Sequence, residues 1–390
     1  MTENWKEAYG RLEEFTKSSP GIRIEPRLTV IPAGSREQFY ALFDEARQAF
    51  VRQKMPTVWR EAHELSAGYL QAAGSLKVPG LTGIKTTPEL ERLLADPARG
   101  LIRPLFNPMF DLLKGKISHE EFEFGAPEAV GAWAGQLFKQ GYQKWVMLSL
   151  AGLVGPDRIS AMPWDDIHEQ CFELQPDQKR GFTEYSVPRP KDASRITLGH
   201  EGEGPSLLLA DIIVHSPDTG LWITLLDDLT DASWTAKNPT TAREWLTLRN
   251  KGQDLKPLPY WPDMVAYADK RVENIGLIGD FSSLLRPDVI IECFTSPDWY
   301  RQGGLARVRR DHDRFVPARG TFIVSLYPVP AEAFAELAPA PAPEPEAEAA
   351  EEQAPQAVRE IFILEAGYDA MKLAPILEAL MPAPQGEDGA

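Results

Sequence analysis

The sequence predicts an α+β or α/β protein, with a mostly helical N-terminal part followed by a mixed β-sheet domain with flanking helices. Three observations carry this. Apolar residues recur at helical spacing through residues 1 to about 155, and strand-like runs take over beyond Gly155-Pro156. A stretch of Ala, Pro, Glu and Gln then separates a last strand and helix from the rest. With 43% hydrophobic and 9% aromatic residues among 390, the chain can build a sizeable core, which excludes collagen-like, mucin-like and wholly disordered proteins.

The expected division is a helical region over 1–155, a sheet domain over 156–337, a disordered acidic linker over 338–357 and a terminal strand and helix over 358–390. In the first region, residues 21–31 are strand-like, residues 35–53 and 57–73 are amphipathic helices split at Met55-Pro56, and residues 126–154 form one or two long helices. Strands are expected at 170–175, 183–187, 207–215, 221–226, 289–294 and 321–326, with helices at 240–251 and 305–315. After the linker, REIFILE (359–365) reads as a strand, and Met371, Leu373, Ile376, Leu377 and Leu380 take helical spacing within 368–381. Such a short pair either docks on the main sheet or serves as a tethered motif for a partner.

The formal net charge is -16, which repels nucleic-acid phosphate and anionic lipid unless basic residues are concentrated somewhere. Residues 338–390 carry -9 of it, so the acidity is partly a property of the tail. Cys171 and Cys293 form no CxxC, which supports neither a disulfide framework nor a thiolate zinc site. The charged N-terminus lacks a signal-peptide core, and the longest apolar run, 145–154, is about half a membrane span. A cytoplasmic protein without a membrane partner is expected.

Familiar active-site signatures are missing. GHEGEG (199–204) places Glu201 and Glu203 against any phosphate and reads as a turn, and GIKT (83–86) lacks the Gly-Lys-Thr of a P-loop. There is no GxSxG elbow, HExxH or EF-hand loop. His168 with Cys171, and Asp311-His312-Asp313, lack further ligands at metal spacing.

Two segments match at an offset of 65: LLDDLTDASW (225–234) and IIECFTSPDW (290–299). In each, aliphatics climb a buried strand to an acid, Asp227 or Glu292, and a tryptophan follows a turn. Carboxylates placed there emerge at the sheet's carboxyl edge, where α/β proteins hold ligands. Asp227, Asp228 and Glu292 are therefore candidates to gather around a divalent cation or to pair with arginines. The arginines follow Gly303-Gly304, in a helix where Arg307, Arg310 and Arg314 share one face. That face either binds an anion or phosphate, or pairs with the chain's carboxylates. Trp222, Trp234, Trp245, Trp261 and Trp299 are assigned to packing.

The hairpin ADIIV, PDTG, WITLLDDL (210–229) resembles the PD-(D/E)xK restriction-endonuclease-like superfamily, and the Glu292 corner is similar to its Thr-Ser variants. The resemblance implies Asp211 and Asp227, helped by Glu292, as the catalytic and Mg²⁺-binding acids. It also implies a lysine to position the attacking water. Here the chain departs from the pattern: Leu229 and Phe294 stand where lysine is required, and Lys237 or Arg243 are the nearest substitutes.

Two functions follow. One is a non-catalytic intracellular module with a protein partner, a degenerate nuclease-like core that needs no cofactor. The alternative is a Mg²⁺-dependent phosphodiesterase acting on nucleic acid, with Asp211 and Asp227 holding metal and Arg307, Arg310 and Arg314 approaching phosphate.

Overall fold

The computed structural model describes residues 4–161, 191–198, 207–209, 211–227, 262–268, 271–272, 274–277, 285–337 and 361–381. The strands expected at 170–175 and 183–187, the helix at 240–251, the turn at 199–204 and the linker lie outside the described residues. So do His168, Cys171, Asp228, Trp234, Lys237, Arg243, Trp245 and Trp261. The chain divides into two compact units, Met1–Gln71 with Pro88–Tyr142, and Ala72–Thr87 with Gln143–Ala390.

The first unit is helical. Helices Trp5–Ser18, Ala33–Lys54 and Pro56–Ser75 open it; Asn4 caps the first through the Lys6 N–H, and Pro56 forces the break between the other two. The strand-like stretch is a small hairpin, β1 (Arg23–Glu25) against β2 (Leu28–Val30). Short helices Pro88–Ala95, Pro97–Leu101 and Phe106–Leu113 lead to one long helix, His119–Leu153, whose part from Gln143 onward belongs to the second unit. Ser118 and Glu121 start the long helix with a reciprocal capping box, at 3.2 and 2.7 Å. Trp5, Phe39, Phe43, Phe50 and Phe122 are fully buried in this unit's core.

The second unit is built on a sheet. In chain order its strands are β3 (Gly83–Lys85), β4 (Arg158–Ala161), β5 (Lys191–Asp192), β6 (Arg195–Thr197), β7 (Leu207–Leu209) and β8 (Ile212–His215). They continue as β9 (Trp222–Asp227), β10 (Met264–Tyr267), β11 (Asn274–Leu277), β12 (Val289–Phe294), β13 (Thr321–Ser325) and β14 (Ile361–Glu365). Eight of them form a mixed sheet in the order β14-β13-β12-β10-β9-β8-β4-β5, while β3 pairs with β6 and β7 with β11. From β4 to β12 the neighbours are antiparallel, whereas β12, β13 and β14 run parallel.

Two expectations change in detail. The single strand over 207–215 is two strands in different sheets, and pairing with β9 resumes at Asp211, whose N–H donates to the Leu225 carbonyl at 3.1 Å. The last helix begins as a 3-10 turn, Ala370–Leu373, before Ala374–Leu380 with Pro375 in its first turn. Arg319 ties the end of that helix to the sheet by donating to the Ala379 and Met381 carbonyls at 2.9 and 2.7 Å. Among the described residues, no helix is long and apolar enough to cross a membrane.

Candidate functional site

The β8–β9 hairpin brings Asp211 and Asp227 to one strand end. Asp211 stands just before β8 and Asp227 closes β9, and the Asp211 Oδ2 accepts the Asp227 N–H at 2.7 Å. The Asp227 carboxylate, with no exposed side-chain surface, pairs with the Lys144 ammonium, whose side chain is 10% exposed. Lys144 belongs to the long helix, in the stretch 141–150 where every residue is buried. A helix buried on all sides is apolar on all sides, so a lysine within it is retained only with a specific partner. The basic group beside Asp227 therefore comes from another element and not from two positions along β9.

Glu292 does not join Asp211 and Asp227. The register aligns Asp227 with Met264 and Met264 with Ile291, so these three share one face and Glu292, the next residue, points to the other. There Glu292, fully buried, accepts from Arg307, and Arg307 also donates to Asp263 at 2.9 Å. Asp263 in turn accepts the Cys293 N–H at 2.9 Å. Burial, reinforced by Asp263, pushes the Glu292 carboxyl well above its ordinary range against the pull of Arg307. Burial opposes the charge on Arg307, but Asp263 and Glu292 outweigh it and hold the guanidinium above its usual range.

The helix Leu305–Phe315 covers this second face. Leu305 and Val308 pack with Phe294, Trp299 and Ile323. Trp299 stacks on Phe294 with centroids 4.2 Å apart and donates to Ser325 Oγ at 3.2 Å, which fixes the corner after β12. The expected row of three arginines facing phosphate takes a different form. Arg307 turns inward to carboxylates because Glu292 and Asp263 present them beneath it, while the Arg310 side chain is 46% exposed, 3.7 Å from Asp311. The Arg314 side chain lies outside the described set. His312 is buried on Thr321 Oγ1 at 2.9 Å, so it serves packing, and Cys293 is a buried free thiol.

Among the described residues, no three His, Cys, Asp or Glu side chains converge as a cation cage. Two carboxylates from adjacent strands are nevertheless the donor set that suits Mg²⁺, which keeps most of its waters and takes one or two protein carboxylates. Asp211 and Asp227 offer oxygen donors, the ligand class Mg²⁺ takes, without the Cys or His donors typical of structural zinc sites. Sequence reasoning missed Lys144 and Asp263. Lys144 lies flush against the longest apolar run of the chain, which is a signal for a buried, paired lysine. Asp263 precedes the run Met264-Val265-Ala266-Tyr267, too short to stand out as a strand. Comparison of the chain with protein families, with characterised proteins and with solved structures finds no match.

Proposed function

We propose that the chain is a divalent-cation-dependent phosphodiesterase whose site comprises Asp211, Asp227 and Lys144. The observation that carries this reading is the meeting of two acids and a lysine at one strand end, each from a different element. A bound Mg²⁺ would supply Lewis acidity and a more acidic water. Asp211 and Asp227 would hold the ion. The Asp211 bond to the Asp227 backbone fixes the spacing of the two strands, and the packed long helix orients Lys144. Its ammonium, held beside Asp227, places a positive charge where a phosphorane-like transition state gathers negative charge, so it stabilises that state more than the substrate.

A second reading, a non-catalytic module with a protein partner, is favoured by the closure of the Lys144–Asp227 pair, which leaves no side-chain surface of Asp227 exposed. Cleavage of a labelled single-stranded oligonucleotide with Mn²⁺ or Mg²⁺ separates the two. The phosphodiesterase reading expects metal-dependent cleavage that is lost in Asp211→Asn and Asp227→Asn and falls about 100-fold or more in Lys144→Met. Absence of cleavage in the wild type, or cleavage unchanged in the Asp variants, supports the module instead.

A further inference from the structure

The opposite end of the same hairpin carries a cluster of another character. Arg158, His215 and Trp222 are successive register partners across β4, β8 and β9, so their side chains emerge side by side. The guanidiniums of Arg158 and Arg271 lie 5.0 and 5.2 Å from the Trp222 ring, and the His215 ring lies 4.7 Å from it. His215 Nδ1 contacts Asp157 Oδ1 at 2.6 Å, a hydrogen bond that holds the Asp157 carboxyl below its usual range. The Arg158 side chain is 51% exposed, and Arg271 and the turn Pro217 to Gly220 beside the cluster are exposed. Asp157 and Asp218 are the acids at this end.

We propose that Arg158, Arg271, His215 and Trp222 form a binding site for the sugar-phosphate backbone and a stacked base of single-stranded nucleic acid. Interleaved cations and an aromatic plane are the surface such strands need: guanidiniums meet phosphates, while indole and guanidinium planes accept a base on sequence-tolerant terms. In a chain of net charge -16, two exposed arginines converge on one tryptophan here, with Asp157 held by Arg158 at 3.8 Å and by His215. The assignment of substrate class rests on the phosphodiesterase reading.

The test is fluorescence anisotropy of the full chain with a labelled oligothymidylate of about 16 nucleotides, in EDTA so that no cleavage occurs. The expected result is saturable binding, weakened roughly tenfold in Trp222→Ala and in Arg158→Gln/Arg271→Gln, with the salt slope of the double variant reduced by about 1.4. Trp222→Phe, which keeps an aromatic plane, retains most of the affinity, and an unchanged thermal midpoint shows that each variant is folded. Asp211→Asn/Asp227→Asn binds as the wild type does while losing cleavage, which separates failure of this site from failure of the catalytic reading. No binding, binding indifferent to the arginine and tryptophan variants, or equal competition by phosphatidylserine vesicles overturns the proposal.

Discussion

The strand ends at Asp227 and Glu292 share a sequence pattern, yet the fold uses them oppositely. At Asp227 one carboxylate meets one ammonium delivered by a helix far away in sequence, and the neighbouring acid, Asp211, bonds a backbone N–H. At Glu292 two carboxylates share one guanidinium delivered by the helix that follows the strand, and burial, reinforced by Asp263, raises the Glu292 carboxyl above its ordinary range. The offset of one residue in register sends the two acids to opposite faces. Similar local sequence therefore produces a one-to-one ion pair in one place and two buried acids sharing one arginine in the other. Strand alternation and the origin of the counter-charge decide which.

Removing the lysine breaks the comparison most severely. Lys144→Met leaves a buried Asp227 without its counter-ion and is expected to cost about 3–5 kcal/mol, read as a lower urea midpoint for the sheet unit. Lys144→Met/Asp227→Leu recovers much of the loss, because an apolar pair of similar volume needs no compensation. At the other end, Arg307→Ala is expected to cost about 3 kcal/mol at neutral pH and less in acid, where Glu292 takes up a proton and no longer needs the guanidinium. An equal loss at both pH values contradicts a Glu292 carboxyl raised above its ordinary range.

Glu292→Gln sharpens the same point. A carboxyl raised in the folded state lends its full stability below the ordinary value of about 4.5 and loses it as pH rises toward the folded-state value. The wild type should therefore lose stability over that interval by at most about 1.4 kcal/mol per pH unit from this one group, and the glutamine variant should have a flatter profile by urea denaturation. The smallest effect is expected for Trp299→Phe, which keeps the stack on Phe294 but deletes the hydrogen bond to Ser325, costing about 1 kcal/mol in the same assay.

The fold was legible in the sequence where periodicity is strong. VIIECF and LARVRRDHDRF form a strand and a helix with the expected bounds, and the break at Met55-Pro56 follows from proline's lack of a backbone donor. The four-residue β10 was not legible, because a run that short carries no period of its own and is a strand only through neighbours on both sides. In the candidate site, Asp211 and Asp227 could be read from the hairpin, since turn and alternation are local properties. Lys144 could not, because its partner lies 83 positions away and only tertiary packing joins them. The placement of Glu292 on the other face likewise follows from which strands become neighbours, which a single strand's sequence does not encode.

The central claim, that Asp211 and Asp227 together hold a divalent cation beside Lys144, is tested most directly by isothermal titration of the full chain with Mn²⁺ and Mg²⁺, alongside a folded Asp211→Asn/Asp227→Asn variant. The account predicts one saturable site in the wild type and none in the variant. No binding in the wild type, or the same binding in both, contradicts it.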